Sequence, residues 1–245
     1  MAAFDVTSPQ SFDVSIDSSA KPAIKKDHAR SRILHTALSR FASRGYDGVS
    51  TTEIAKAAGV TQPLIHYHFK SKETLWKATV EQVFGWMRDE LVESWQDEVP
   101  GLPQEQQAEQ KLRRFLAQYL DFSSRHPEFG QLIFREGTQH SERLEWLVSE
   151  WMQPLLEPLM KEQAKGIEEG WLRDIPFAHI ASILSASGTA FFSMTPLIES
   201  AYGVNAQDGI QSKAYTDTVI EMICQLIFVN KSKVGEAGRS SLEVV

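Results

Sequence analysis

Residues 50–73, STTEIAKAAGVTQPLIHYHFKSKE, decide how the rest of the chain is read. The stretch divides into two short helical patterns joined at Gly59-Val60, where glycine can take the positive φ that ends a helix. Ser50 and Glu53 have the S-x-x-E spacing of a capping box, which gives the first helix a defined start. Ile54, Ala55 and Ala58 form its inner face, and the small side chains let a second helix come close. Thr61 stands where it can cap that second helix, and Pro63 falls in its first turn, where a missing N–H costs little. Ile65 and Phe69, four apart, point to the core and turn Gln62, Pro63, His66 and Tyr67 outward. Two helices at a tight turn with an outward polar row form the helix-turn-helix arrangement that places side chains in a DNA major groove. By shape alone, a helical hairpin with a mixed polar face fits as well.

The outward row has the chemistry to read bases. Gln62 can bond an adenine edge bidentately, Pro63 can contact a thymine methyl, and Tyr67 can do likewise or reach a phosphate. Further residues carry a resemblance: Thr51-Thr52-Glu53-Ile54-Ala55, Ala58-Gly59-Val60 and Ile65-His66-Tyr67-His68-Phe69-Lys70-Ser71-Lys72-Glu73. Within about residues 33–80 the chain resembles the DNA-binding domain of the tetracycline-repressor (TetR) family of bacterial regulators. That family usually carries an aromatic residue where His66 stands. The resemblance implies DNA contacts from Thr51, Thr52, Thr61, Gln62, Pro63, Leu64, His66, Tyr67, His68 and Lys72. Of these, Gln62, Pro63 and Tyr67 would face bases, while Thr52, Thr61, His66, His68 and Lys72 would hold phosphates or flank the readout.

Composition at first opposes such a reading. The 245 residues are 42% hydrophobic and 23% charged, enough to bury a sizeable core, and the formal net charge is −7. The distribution of that charge along the chain removes the objection. Residues 1–80 hold 11 Lys/Arg against 7 Asp/Glu, or +4, and the remainder holds 14 against 25, or −11. Asp5, Asp13 and Asp17 lie in the polar leading segment, so residues 21–80 alone carry +7. A basic end on an acidic body is what a two-domain DNA regulator needs. The one cysteine, Cys224, excludes an intrachain disulfide and fits a reducing cytoplasm. It shares an apolar stripe with Ile220, Ile223 and Ile227, a packing position. The leading residues lack the basic-then-apolar order of a signal peptide. Residues 180–198 are uncharged and long enough to span a bilayer, but their serines, threonines and Pro196 are too polar for lipid; a protein-buried helix is expected.

The chain divides into a disordered tail at 1–26, a helix-turn-helix DNA-binding domain at 27–72, a helical ligand-binding and dimerisation domain at 73–230, and a flexible tail at 231–245. The basic end of the first tail, residues 21–26, suits a solvated linker or a DNA-tracking arm. Residues 27–44 read as the first helix, ended by Gly45, and a long helix runs from Ser71 to about Trp95. Beyond the Pro/Gly break after Val99, helical stripes recur, one of them through residues 144–160 with kinks expected at Pro154 and Pro158. The last two helices are expected over about 177–199 and 212–229. In the resembling family two such helices from each subunit make a four-helix interface, which implies a homodimer through about residues 177–229.

No G-x-S-x-G, phosphate-binding glycine loop, H-E-x-x-H or cysteine pair occurs, so the sequence offers no catalytic residue, metal site or cofactor and reads as non-enzymatic. Trp86, Tyr119, Phe134, Trp151 and Phe191 could wall an apolar cavity among helices, although core packing explains each equally well. The fold expected is all-α, a three-helix DNA-binding unit followed by a larger helical domain. The function expected is a cytoplasmic, sequence-specific transcriptional regulator, a repressor released from a pseudo-palindromic double-stranded DNA operator by a small, largely apolar or aromatic effector. The alternative is a helical small-molecule-binding protein without specific DNA binding.

Overall fold

Caps and left-handed turns set the boundaries of the first helices. In the computed structural model, which describes residues 21–96 and 101–229, α1 (Lys21–Arg44) stops at Gly45, whose φ of +76° lets its N–H turn back to the Phe41 carbonyl at 2.8 Å. The helix begins at Lys21, ahead of the expected residue 27, so the basic run is helical rather than part of a tail. Pro22 fits there, since the first turn needs no N–H from it. The expected tails at 1–20 and 231–245 lie outside the described residues.

α2 (Thr51–Ala57) opens on a complete capping box. The Glu53 N–H donates to Ser50 Oγ at 3.1 Å, and the Ser50 N–H donates to Glu53 Oε2 at 2.9 Å. Gly59, at φ +64°, makes the turn into α3 (Gln62–Phe69). Thr61 occupies the cap position of α3, but its side chain makes no cap bond. Lys70, at φ +59°, reverses the chain again, and Ser71 Oγ accepts from the Thr74 N–H at 3.0 Å to start α4 (Lys72–Gln96). Ile33, Leu34, Ala37 and Phe41 of α1 bury against Ile54, Ile65, Phe69 and Trp76 to form the core of this end.

The second part comprises α5 (Gln104–Arg125), α6 (Pro127–Glu136), α7 (Glu142–Leu147), α8 (Gln153–Glu168), α9 (Phe177–Ser193), α10 (Thr195–Tyr202) and α11 (Gly209–Ile227). Two expectations are corrected here. The stripe through 144–160 does not simply kink at its prolines. A π-helical turn, Val148–Met152, joins α7 to α8 one turn earlier, which leaves Pro154 in the first turn of α8 and Pro158 inside it. The expected helix 177–199 is two helices meeting at a 77° bend. Pro196 has no N–H to give the Phe192 carbonyl, and Thr195 Oγ1 donates to that carbonyl instead, at 3.1 Å. No single helix among the described residues is long and apolar enough to cross a membrane. α11 starts at Gly209, three residues early, because the Asp208 carboxylate accepts from the N–H groups of Ile210 and Gln211.

α6 lies on α1 and ties the two ends of the molecule together. Arg135 donates from Nε to the Ala42 carbonyl and from Nη2 to the Ser43 carbonyl, both at 2.7 Å, and so satisfies acceptors that the end of α1 leaves open. Beside it the buried Glu136 pairs with Arg143 at 3.2 Å, and the Arg143 guanidinium sits 3.9 Å over the Tyr46 ring. Replacing Arg135 by Met keeps most of the stem and removes both hydrogen bonds. We expect a loss of about 1–2 kcal/mol, seen as a Tm lowered by a few degrees in thermal unfolding.

Candidate nucleic-acid interface

The short α2–α3 unit sorts its side chains cleanly. Ile54 and Ala55 of α2 and Ile65 and Phe69 of α3 are buried, and the small Ala58 closes the gap between the helices. The opposite side of α3 then carries Gln62, Pro63, His66 and Tyr67 in solvent, with Tyr67 65% exposed. A shallow concavity of about 830 Å³ runs across this face and is lined by Thr51, Gln62, Pro63, His66 and Lys72 together with Ser50, Lys70 and Ser71. Thr52 and Thr61 are exposed beside it, and Leu64 is half-buried.

Two of the expected contact residues also lie against aromatic rings. His68, expected to hold a phosphate or flank the readout, is half-buried, its ring 5.3 Å from Tyr67 and 5.9 Å from Phe69. The Lys72 ammonium lies 4.3 Å over the Tyr46 ring, which fixes a cation at the start of α4. Sequence reasoning left out Lys70, an exposed cation on the same concavity at the turn between α3 and α4. The signal was its place in the Phe69-Lys70-Ser71-Lys72 run.

Glu53 is the one acid on this face that the fold itself employs. The Ser50 backbone N–H and then its hydroxyl hold the Glu53 carboxyl below the usual glutamate range, with Arg44 adding to the effect at 3.1 Å. Its charge is therefore committed to the capping box and partly offset by Arg44.

The five aromatics proposed as ligand walls do not converge on one cavity. Trp151 lines a cavity of about 300 Å³ between α4, α5 and α8, together with Phe84, Met87, Leu91 and Leu155. Trp86 instead faces α1 and stacks on His126, while Tyr119 is wedged under Gly188, where an added Cβ would come within 2.9 Å of its ring. Phe134 stands on the surface of α6, 69% exposed, and Phe191 stacks face to face on Tyr215 at 3.8 Å. Aromatic type does not separate cavity wall from core: Phe84 of α4 and Phe115 of α5 line the cavity with Trp151, while four of the five expected residues do not. Cys224 is buried, and desolvation pushes its thiol up to about 11, so it is a packing residue and not a reactive one. Among the described residues no group of histidines, cysteines and carboxylates is arranged to hold a metal ion.

Comparison with known proteins agrees with this geometry. Residues 33–79 match the model of bacterial regulatory proteins of the tetR family, and residues 109–223 match that of the tetracyclin repressor-like C-terminal domain. The biofilm operon icaADBC HTH-type negative transcriptional regulator IcaR of Staphylococcus epidermidis is 29% identical over 68 residues, 28% of this chain and 37% of that protein. Its Staphylococcus aureus counterpart is 28% identical over 60 residues, 24% and 32% of the two chains. The chain thus aligns with about a third of the length of these curated relatives. Among solved structures, a TetR family transcription regulator from Marinobacter aquaeolei VT8 superposes with a TM-score of 0.65 at 16% identity, over 85% of this chain and 100% of that one. HlyIIR, a hemolysin II transcriptional regulator, gives 0.53 at 22% identity, over 80% and 97%. At such identities the likeness is one of fold.

The capping box makes a direct prediction. Ser50→Ala should cost about 1 kcal/mol in stability. Carboxyl titration by NMR should show the Glu53 pKa rising toward the ordinary glutamate value. Because the folded pKa is depressed, the stabilisation from Glu53 is present above the unfolded pKa and lost as pH falls through the folded one; Ser50→Ala should flatten that acid limb.

Proposed function

The chain belongs to the tetracycline-repressor (TetR) family, and from that premise we propose that it is a homodimeric, sequence-specific repressor whose grip on DNA is released by an apolar small molecule. The observation that carries the DNA-reading part is the exposed Tyr67. At 65% exposure it stands with Gln62, Pro63 and His66 on the side of α3 opposite the buried Ile65 and Phe69, where its ring and hydroxyl can meet a base edge or a phosphate. Gln62 and Pro63 share its face, and Lys70 and Lys72 flank it with positive charge. These residue types suit base edges in the centre and phosphates at the margin.

One such unit makes few base contacts, so useful affinity requires two of them on a two-fold site. The surface of α9 and α11 supports pairing. Ile183 and Met222 are exposed there, and Ser182, Ser185 and Ala186 leave room for another helix to approach. Repression, rather than activation, follows the relative IcaR, which is a negative regulator. The cavity between α4, α5 and α8 is the place for the effector, because α4 carries its walls at one end and the cation of Lys72 at the other. At 1.5 Å per residue α4 spans roughly 37 Å. An effector that prefers the DNA-incompetent state 100-fold would shift the equilibrium by roughly 2.7 kcal/mol.

Selection of bound duplexes from a random pool tests the proposal: inverted repeats with a fixed half-site spacing should be enriched. Gln62→Ala should then relax preference at one position per half-site, by about 1–3 kcal/mol in competition titrations. Lys72→Ala should weaken every duplex alike and reduce the salt slope by about one unit per subunit. Enrichment of nothing above the starting pool, with apolar ligands still bound, would return the chain to a helical small-molecule-binding protein.

A further inference from the structure

The cavity beside Trp151 is not isolated. Phe115 of α5 and Leu159 of α8 line it, and both also line a second cavity of about 100 Å³ on their far side, enclosed by α5, α8, α9 and α11. The second space is walled by Leu116, Leu172, Ile180, Leu184, Ile223 and Ile227, and one of its walls is fixed by the close approach of Leu172 and Trp171 to Gly166. At about 100 Å³ it is the smaller of the two and extends the apolar space past Phe115 and Leu159. Two side chains with rotatable χ angles are all that the two cavities have in common as a wall.

The mouth of the first cavity has mixed polarity. Arg88 and Glu150 both border it, and Arg88 is already engaged with the Asp89 carboxylate at 3.1 and 3.2 Å. One cation and one anion leave this edge without a net charge to select a charged head of either sign. An uncharged head needs no counter-charge, and Pro154 brings a backbone acceptor to the same edge. Pro158 has no N–H to give the Pro154 carbonyl one turn earlier, and both prolines border the same mouth. The π-helical turn just before them brings Glu150 and Trp151 to this edge.

Building on the ligand-receiving role proposed above, we infer that the effector is an elongated, single-chain molecule with an uncharged hydrogen-bonding head, an alcohol or amide. The head lies near Pro154, and the chain passes between Phe115 and Leu159 toward α9 and α11. This assigns the specificity of the site to a two-residue gate and to chain length.

Calorimetric titration of the full chain with straight-chain alcohols from 1-hexanol to 1-tetradecanol tests the inference, with naphthalene as a compact apolar control. In the wild type each added methylene should tighten binding about fourfold, and the rise should continue past the length that fills the first cavity. Leu159→Trp should make the series level off at a shorter chain length than in the wild type. Phe115→Leu, which thins the same gate and adds no bulk, should steepen the gain with length among the long alcohols, so a folding failure of the tryptophan variant does not decide the matter. If naphthalene and short alcohols bind but added length gains nothing, or if neither variant changes the length profile, the elongated ligand is wrong while an apolar effector site stands. Tighter binding of a carboxylate or a trimethylammonium of equal length would overturn the uncharged head. If neither alcohols nor naphthalene bind, both this inference and the effector site fall.

Discussion

The arrangement depends on how α6 holds α1. Arg135 satisfies the carbonyls of Ala42 and Ser43, acceptors that α1 cannot satisfy at its own end. Glu136, almost wholly buried one residue further on, would be costly without a partner, and Arg143 supplies it. The same guanidinium covers Tyr46, whose ring also meets Phe41, Trp76 and the ammonium of Lys72. Burial raises the Tyr46 hydroxyl above its ordinary pKa, so the ring remains a neutral platform between two cations. A second contact, Trp76 edge-on to Trp146 at 5.8 Å with Lys77 above it, backs the first. Through these few residues the start of α4, and with it the face of α3, is referenced to α6 and α7 rather than left on a free hinge.

That joint gives the proposed effector something to act upon. Its cavity lies between α4 and α8, just past the π-helical turn that follows α7. α7 carries Arg143 and Trp146, the residues that touch Tyr46 and Trp76. A molecule that spreads α4 from α8 therefore pulls on both ends of one short connection. Packed interfaces of this kind shift between discrete arrangements rather than deform continuously. Charge supports the division of labour, since residues 21–80 carry +7 while residues 81–245 carry a net −11.

Much of the first part was legible in the sequence because its determinants are local. A capping box needs only Ser50 and Glu53, a left-handed turn needs only Gly45 or Gly59, and Ile65 and Phe69 fix by period which residues of α3 face outward. The second part was legible as helices but not in its breaks. Pro154 and Pro158 signalled an irregularity, yet its form is a wider turn at Val148–Met152, which sets Trp151 against Phe84 of α4, a contact between residues far apart in sequence. Pro196 was visible too; that the chain would bend there by 77° depended on Thr195 taking over the Phe192 carbonyl. The ligand walls were the least legible. Phe134 and Trp151 have the same apolar, aromatic character in a sequence, and only tertiary placement leaves one on the surface of α6 and sets the other against a cavity. His68 belongs with these, since its half-buried position depends on the neighbouring rings of Tyr67 and Phe69.

Equilibrium titration of the full chain against a duplex bearing its selected sequence, and against a scrambled copy of equal length at the same salt concentration, tests the central claim most directly. A sequence-specific dimeric reader should bind the selected duplex at least about 10³-fold more tightly, with two subunits per duplex. Equal affinities for the two duplexes, falling together as salt is raised, would contradict it and leave only a basic surface that holds any DNA.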